Sequence, residues 1–574
     1  MAEKITHFPT AEGQDRAAAA LERMAEHLAG IASGNANAEF IDATYKAMLD
    51  GANTTAIFDI WWPLSNNGTD SRYKRLERFG RMLASAWSGK TYTLRGYSGE
   101  VSSDTALTPM DDLAGRSPGA LATDTNNGGE DWTEEDPMTW YVRANALSLE
   151  DGTMNVVAVE GEEEFDISGE TAPVYTFALA LWQKRTDDGS YESSSWRTTA
   201  APGYAPYAGD VAPDNTKRVL TWHPTFPGSL TKGGKLTSGA GGKPYNFASA
   251  VNGLTAARKW EGGNDGLWCD CDTEWLLDMW KLRHFDKENS GKLEGGLSYN
   301  EQTVVALAET GVKRVLLTTA NGAKFVVGST VSVGDPGSQT NYDRYQAYMR
   351  NIADLVKITS IAEVSVNGTT YAAINLDVAE NITTTETTRI STMPWHSGNT
   401  ERLPGHRDGC TGRLTAGKSP ARIAGVEVLD GSYTVGVDPL YNVTANADGG
   451  YDYAVHTCRD SKKLSGSITA DYIDTGIRLE GVPSGWNWVK AFVQNTFGVL
   501  APRLFGGSSS GWYKSAFYGA NSAGVRCPWR FGSLNLGTSG GLACEGGYHA
   551  PGGLGWSSRP RLSGSGKKRG EWTA

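Results

Sequence analysis

The chain has 574 residues, with 53 Lys and Arg against 65 Asp and Glu, a formal charge of −12. That length exceeds one ordinary core and predicts two to four domains, and the acidic balance excludes general nucleic-acid binding. The 19 Trp, 23 Tyr and 70 Gly beside only 21 % charged residues suit β-rich, loop-heavy domains that expose aromatic side chains.

The opening stretch MAEKITHFPTAEGQD has no apolar core of a signal peptide, and no run of about 18 apolar residues follows. Neither secretion by a signal nor membrane insertion is expected. Cys269, Cys271, Cys410, Cys458, Cys527 and Cys544 are scattered too widely for a disulfide framework, which predicts synthesis in a reducing cytoplasm.

Residues 15–32 (DRAAAALERMAEHLAGIA) predict a helix in which Ala17, Leu21, Met24, Leu28 and Ile31 follow a heptad spacing. Two heptads are too few for a stable isolated coil. A packing helix and a short oligomer seam remain the two readings. From about 55 to 240, short strands alternate with polar loops; TYTLRGY, MNVVAVEG and PVYTFALALWQKR read as strands. The acidic runs NNGGEDWTEEDP and GEEEF read as solvated faces. The stretch GSLTKGGKLTSGAGGKP (228–244) reads as a boundary, and it lacks the pattern of a phosphate loop.

CDCDTEWLLDMWKLRHF (269–285) predicts a helix with Asp272 as N-cap and one packed face of Leu276, Met279, Trp280 and Arg283. Two hairpin turns follow, Asn321-Gly322 and Asn367-Gly368, and place a small inserted β subdomain at about 311–380. The last 180 residues or so alternate short strands with aromatic anchors such as WNWVKAFV and RCPWRFGSLN, without an internal repeat.

Two constellations invite a chemical reading. Cys269 and Cys271 with His284 could open a metal site, but no second ligand pair lies nearby, and the start of a structural helix is the better account. His396 and His406 flank a loop with Asp408 and Cys410, and turn capping explains these better than a Cys-His nucleophile. No nucleophile elbow, zinc-protease helix, dinucleotide loop or phosphate loop is present. The sequence therefore does not predict an enzyme. It names no cofactor, and a structural calcium is not readable from it.

The segments GKSPARIAGVEVLDGSYTVGVD (417–438), CPWRFGSLNLG and GLACEGGYHAPGGLGWSSRPRL resemble a known pattern. They are similar to the C-type-lectin-fold proteins diversified by retroelements, in the formylglycine-generating-enzyme-like branch, which serve phages and prophages as tail or receptor-binding proteins. The major tropism determinant class belongs to this group. In it a GIE-x-x-x-G-like segment precedes R-x-G-S-x-N-x-G and then GLAC-x-N-x-N-N-AP-x-N-x-N-W-x-x-RPRL. The likeness covers roughly 245–574 and is strongest over 417–438 and 526–562.

In that class the varied positions arise from AAC-type Asn codons by changes at adenine. The resemblance places varied positions at Leu536, Ser539, Gly546, Tyr548, His549, Gly553, Gly555 and Ser557, each reachable from AAC. Tyr513 is reachable too, whereas Lys514 is not. The resemblance implies that these residues form an exposed ligand-binding face with Tyr548 as its largest exposed contributor. It also implies that Trp529 and Trp556 are buried supports and that Arg559 and Arg561 hold loop carbonyls or carboxylates. Cys527 and Cys544 are 17 residues apart and do not reproduce the oxidase cysteine pair, so oxidase activity is not carried over.

The expected whole is an α+β, β-rich multidomain chain. Residues 1–240 would attach to the virion and oligomerise. Residues 241–574 would be a C-type-lectin-fold domain with the insert and a variable region at about 513–557. The expected partners are a bacterial cell-surface receptor, other virion tail proteins and two further copies in a homotrimer, and the expected place is the tail tip or fibre. A bacterial surface or secreted binding protein of the same fold is the alternative, and a formylglycine-generating-like oxidase a more distant one.

Overall fold

The computed structural model describes residues 45–46, 54–126, 128, 138–289, 292–293, 295–411, 418–493, 495–564 and 568–573. The helix expected at 15–32, its heptad seam and most of the acidic run at 126–137 lie outside the described residues. The described chain is β-rich and is built from several sheets.

Helix α1 (Thr54–Leu64) buries Ile57, Phe58, Trp61 and Trp62 along one side. Helix α2 (Arg72–Ala86) starts at Ser71, whose hydroxyl accepts from the Lys74 N–H at 3.3 Å, and buries Leu76, Phe79 and Leu83. Glu162, from the run expected to be merely solvated, accepts from Trp62 Nε1 and from Arg72 Nε and so ties the two helices together. α2 rests on an antiparallel sheet ordered Met154–Val159, Tyr141–Ser148, Val174–Leu179, Leu220–Pro224. Val174–Leu179 is buried at every position, as a strand covered on both faces must be. A five-stranded sheet beside it includes Tyr92–Tyr97, Trp182–Asp187 and Tyr191–Arg197.

The stretch read as a boundary forms a hairpin, Gly228–Leu230 against Leu236–Ser238, buried except at its turn end. Its glycines serve close packing rather than flexibility: a Cβ on Gly228 would lie 1.8 Å from the Pro560 carbonyl oxygen, and one on Gly239 1.8 Å from that of Ser168. Outside the insert, one continuous apolar core runs from Tyr45 to Leu562, so residue 240 marks no break in it.

Helix α3 (Ala250–Ala257) is capped by Ser249 and Asn252 in a reciprocal box. Helix α4 (Asp270–His284) is the centre of the molecule. Its N-cap is Cys269, one turn earlier than expected, and Asp272 sits at the third helical position, accepting from the Cys269 N–H at 3.1 Å. It has no solvent face: all its residues but Lys281 are buried, including Asp270, Asp272, Glu274, Asp278, Arg283 and His284. No helix among the described residues is long and apolar enough to cross a membrane.

The insert is larger than expected. Its six-stranded sheet runs in the order Gln302–Val304, Arg389–Thr392, Thr330–Gly334, Ala353–Val366, Thr369–Leu376, Arg314–Thr318, and it has an apolar core of its own around Val331, Val333, Ile358, Ile374 and Ile390. Asn321-Gly322 is not a hairpin turn. The Thr318 hydroxyl accepts from the Asn321 N–H at 3.2 Å and starts a one-turn helix, Thr319–Gly322, while Arg314–Thr318 pairs with Thr369–Leu376. Asn367-Gly368 does close a hairpin between Val366 and Thr369, with φ of 49° and 78°, the positive pair a type I′ turn requires.

The C-terminal sheet uses β1 (Tyr433–Val435), β2 (Gly485–Phe492), β3 (Pro502–Phe505), β4 (Ala516–Gly519), β5 (Trp529–Arg530), β6 (Glu545–Gly546) and β7 (Ser558–Pro560), in the order β3-β2-β4-β6-β5-β1-β7. Because the insert's core shares no member with the main one, Ile374→Ala should cost about 2–5 kcal/mol in the insert alone. Calorimetry should show one transition moved down and the main transition in place; a uniform shift of all unfolding would contradict two cores.

Candidate binding face

Backbone register places Trp486 opposite Tyr518, Tyr518 opposite Gly546, and Gly546 opposite Trp529, one row across β2, β4, β6 and β5. Residues in such a row share a face of the sheet. Gly546 leaves a gap in the row, and the ring of Tyr548 lies over it: a Cβ on Gly546 would meet Tyr548 Cε1 at 3.5 Å. The aromatic contacts are continuous. Trp486 meets Tyr518 edge-on at 4.9 Å, Tyr518 meets Tyr548 at 4.4 Å, Tyr548 meets His549 at 3.7 Å, and His549 stacks on Trp529 at 3.3 Å. Trp486 is 41 % exposed, Tyr518, Tyr548 and His549 are half-buried, and Trp529 is buried beneath.

The row continues through Gly553, whose Cβ position lies 3.7 Å from His549 Nδ1 and 3.8 Å from Trp529, to Gly555, whose carbonyl accepts from the Phe247 N–H. Trp556 follows, and the guanidinium of Arg344 from the insert stands 5.6 Å over its ring. The insert also brings the exposed Tyr345 to 6.3 Å from Phe247. Leu536 and Ser539, both half-buried, border a separate short turn, Gly537–Ser539.

Not every residue expected on the face is there. Tyr513 is buried, edge-on against Phe492 at 4.8 Å. Gly546 is buried beneath Tyr548, and Ser557 is buried because its carbonyl receives the Tyr433 N–H that brings β7 alongside β1. Trp556 is half-buried rather than a buried support, since its cover is a charged side chain of the insert and not the core. Tyr548 is not the largest exposed contributor. Trp486 and Leu554 project further.

Beneath the face lie three buried guanidinium groups. Arg559 pairs with Asp430 and donates to the carbonyls of Gly228 (2.7 Å) and Trp395 (2.8 Å). Arg561 donates to the carbonyls of Glu427 (2.8 Å) and Pro224 (2.7 Å). Arg530 bridges Asp270 at 2.6 Å and Glu545 at 2.8 Å, and Glu545 also accepts from Tyr441 Oη at 2.6 Å. Burial pushes both the Asp270 and Glu545 carboxyls up, against the pull of Arg530.

The two cysteine–histidine constellations do not assemble. Cys269 and Cys271 lie at one end of α4 and His284 at the other, where His284 contacts Asp408 at 3.1 Å and the Gly119 carbonyl. His406 stacks on Tyr141 at 4.2 Å, and His396 Nε2 meets the Leu355 carbonyl at 3.0 Å. Burial pushes the Cys527 and Cys544 thiols up to about 12, the opposite of the depressed value that makes a thiol reactive.

Trp486, Tyr518 and the insert's Tyr345 and Arg344 were not anticipated. The only signal for the first was the motif WNWVKAFV, and nothing local marks the others, because register and the insert's placement bring them in. The chain matches no protein-family model, and no curated protein matches it.

Arg559→Met should destabilise the fold by about 3–5 kcal/mol, since it strands the buried Asp430 carboxylate; urea unfolding measures this, and a loss below about 1 kcal/mol would contradict the pairing. A second expectation concerns pH. Burial, with Arg526 adding, lowers the His549 imidazole to about 3. The unfolded chain titrates it near 6.5, so its contribution is complete above pH about 6.5 and is lost as pH falls towards 3. By pH 5 the loss is about 1–2 kcal/mol. His549→Phe keeps the stack and should flatten that part of the pH profile between 7 and 5.

Proposed function

We propose that the chain is a receptor-binding protein of a phage or prophage tail, and that its C-terminal region, a C-type-lectin-type fold, displays a diversified face to a bacterial surface receptor. One observation carries this reading: the glycines of the C-terminal stretch fall into two physical kinds. Gly546, Gly553 and Gly555, the positions expected to vary, have none of the positive φ that demands glycine. Gly555 has nothing within 4 Å of a Cβ, and Gly546 has only ordinary contact at 3.5 Å; Gly553 is tighter, at 3.0 Å from the Ala550 carbonyl oxygen. Gly532 and Gly541 instead have φ of 105° and 132°, and a Cβ on Gly547 would strike the Phe517 ring at 2.3 Å. Gly546 and Gly555 thus have freedom that Gly532, Gly541 and Gly547 lack, and Gly552 between them shares it.

The aromatic row supports the same reading. Half-exposed Tyr and Trp rings on a rigid sheet are anchors of the kind that carry binding energy in a few residues. Several copies on one virion would turn a weak single contact into firm attachment. A homotrimer, attachment through the N-terminal region and a place at the tail tip belong to this proposal. The raised thiols of Cys527 and Cys544 weigh against an oxidase.

The test scores labelled protein on a panel of bacterial strains. Against a strain it binds, Tyr548→Ala and Trp486→Ala should each weaken binding about tenfold or more, while melting temperature shifts by only a few degrees. Wild-type binding by both variants would remove the face from receptor recognition.

A further inference from the structure

Away from that face, a surface cavity of about 380 Å³ opens between the end of α2 and the strands Val174–Leu179 and Trp182–Asp187. Among the described residues every charged side chain lining it is a cation, Arg81, Lys217 or Arg218, although the chain as a whole carries −12. Its lining also includes the apolar side chains of Leu179 and Trp182 and the hydroxyl residues Ser88 and Thr199.

The Lys217 ammonium is fixed rather than free. Nζ donates to the carbonyls of Ala180 at 2.7 Å and Arg218 at 3.0 Å and lies 5.7 Å from the Trp182 ring. An ammonium has three N–H donors, so one remains for a ligand. Arg218 is occupied, donating to the carbonyls of Gly209 and Lys568. Arg81 is exposed on α2. Three acids act on these cations from outside the lining: Asp210, buried, on Lys217 and Arg218, Asp151 on Arg218, and Glu77, one turn before Arg81 on α2. Burial lowers the Lys217 ammonium to about 8, with Asp210 opposing and Arg81 adding. A bound anion would offset that burial.

We infer that this cavity binds the oxyanion of an organic phosphate monoester, with the phosphate between Lys217 and Arg81 and the apolar part of the ester against Trp182 and Leu179. A free oxyanion satisfies the cations but leaves the apolar side chains uncovered. The ester uses both, and apolar walls with a few fixed polar groups are what small-molecule sites share. The cavity has no residue in common with the aromatic row, so the two readings stand or fall separately.

Calorimetric titration of the full chain with phenyl phosphate and with inorganic phosphate tests this. Saturable binding of phenyl phosphate is expected, several-fold tighter than inorganic phosphate. Lys217→Met and Arg81→Ala should each weaken it about tenfold or more, the loss of one charge-assisted hydrogen bond. Wild-type affinity should also fall as pH rises through about 8. If Lys217→Met fails to fold, the exposed Arg81→Ala decides. Absence of saturable binding, unchanged affinity in Arg81→Ala, or equal affinity for the free ion would each overturn the assignment.

Discussion

The fold depends on one buried helix whose buried charged side chains are each answered from far along the chain. Asp270 of α4 meets Arg530, Asp272 meets His223 at 2.8 Å and Ser563 at 2.7 Å, Glu274 and Asp278 share Arg185, and Arg283 and His284 share Asp408. A charge taken out of water is tolerable only when paired with good geometry. The helix therefore accepts essentially one arrangement of the strands around it. It joins the early sheets, which supply Arg185 and His223, to the C-terminal part of the chain, which supplies Arg530 and Ser563.

That constraint explains why the N-terminal and C-terminal parts share a core while the insert does not. The insert leaves the main body before Gln302 and returns after Thr392, and its own apolar cluster makes its sheet self-sufficient. It is not a neutral appendage, though. Arg344 over Trp556 and His396 on the Leu355 carbonyl fix how it lies against the main body. Its Tyr345 comes to the end of the glycine-rich stretch, so a segment that reads as decoration adds surface beside the aromatic row.

What could be read from the sequence was local. The helix at 270–284, the strands around Leu94, Val156 and Phe177, and the I′ turn at Asn367-Gly368 follow from periodicity and turn chemistry. What could not be read was distant. A cysteine is a poor guide to an N-cap, and only the Asp272 carboxylate reaching back to its backbone reveals it. The polar side of α4 looked like a solvent face because its partners, such as Arg530, lie 260 residues away. The hairpin at 228–238 looked like a linker because close backbone packing and flexibility both ask for glycine. The row from Trp486 to Trp529 depends on the register of β2, β4, β6 and β5, whose order in space is not their order in sequence.

A face that tolerates change needs its stability stored elsewhere. Here the anchoring groups of the C-terminal stretch, Arg530, Arg559 and Arg561, point inward and bind mostly to backbone carbonyls and to carboxylates outside that stretch. The backbone path is set from below, by contacts that a change at Tyr548 or Gly555 does not touch. Trp529 marks the transition, since it is buried under His549 and paired through its backbone with Gly546. Varying His549 would uncover an indole, whereas varying Gly555 would add a side chain in open space. The positions along this stretch are therefore unequal: His549 covers Trp529, Ser557 is buried where β7 meets β1, and Gly555 stands in open space.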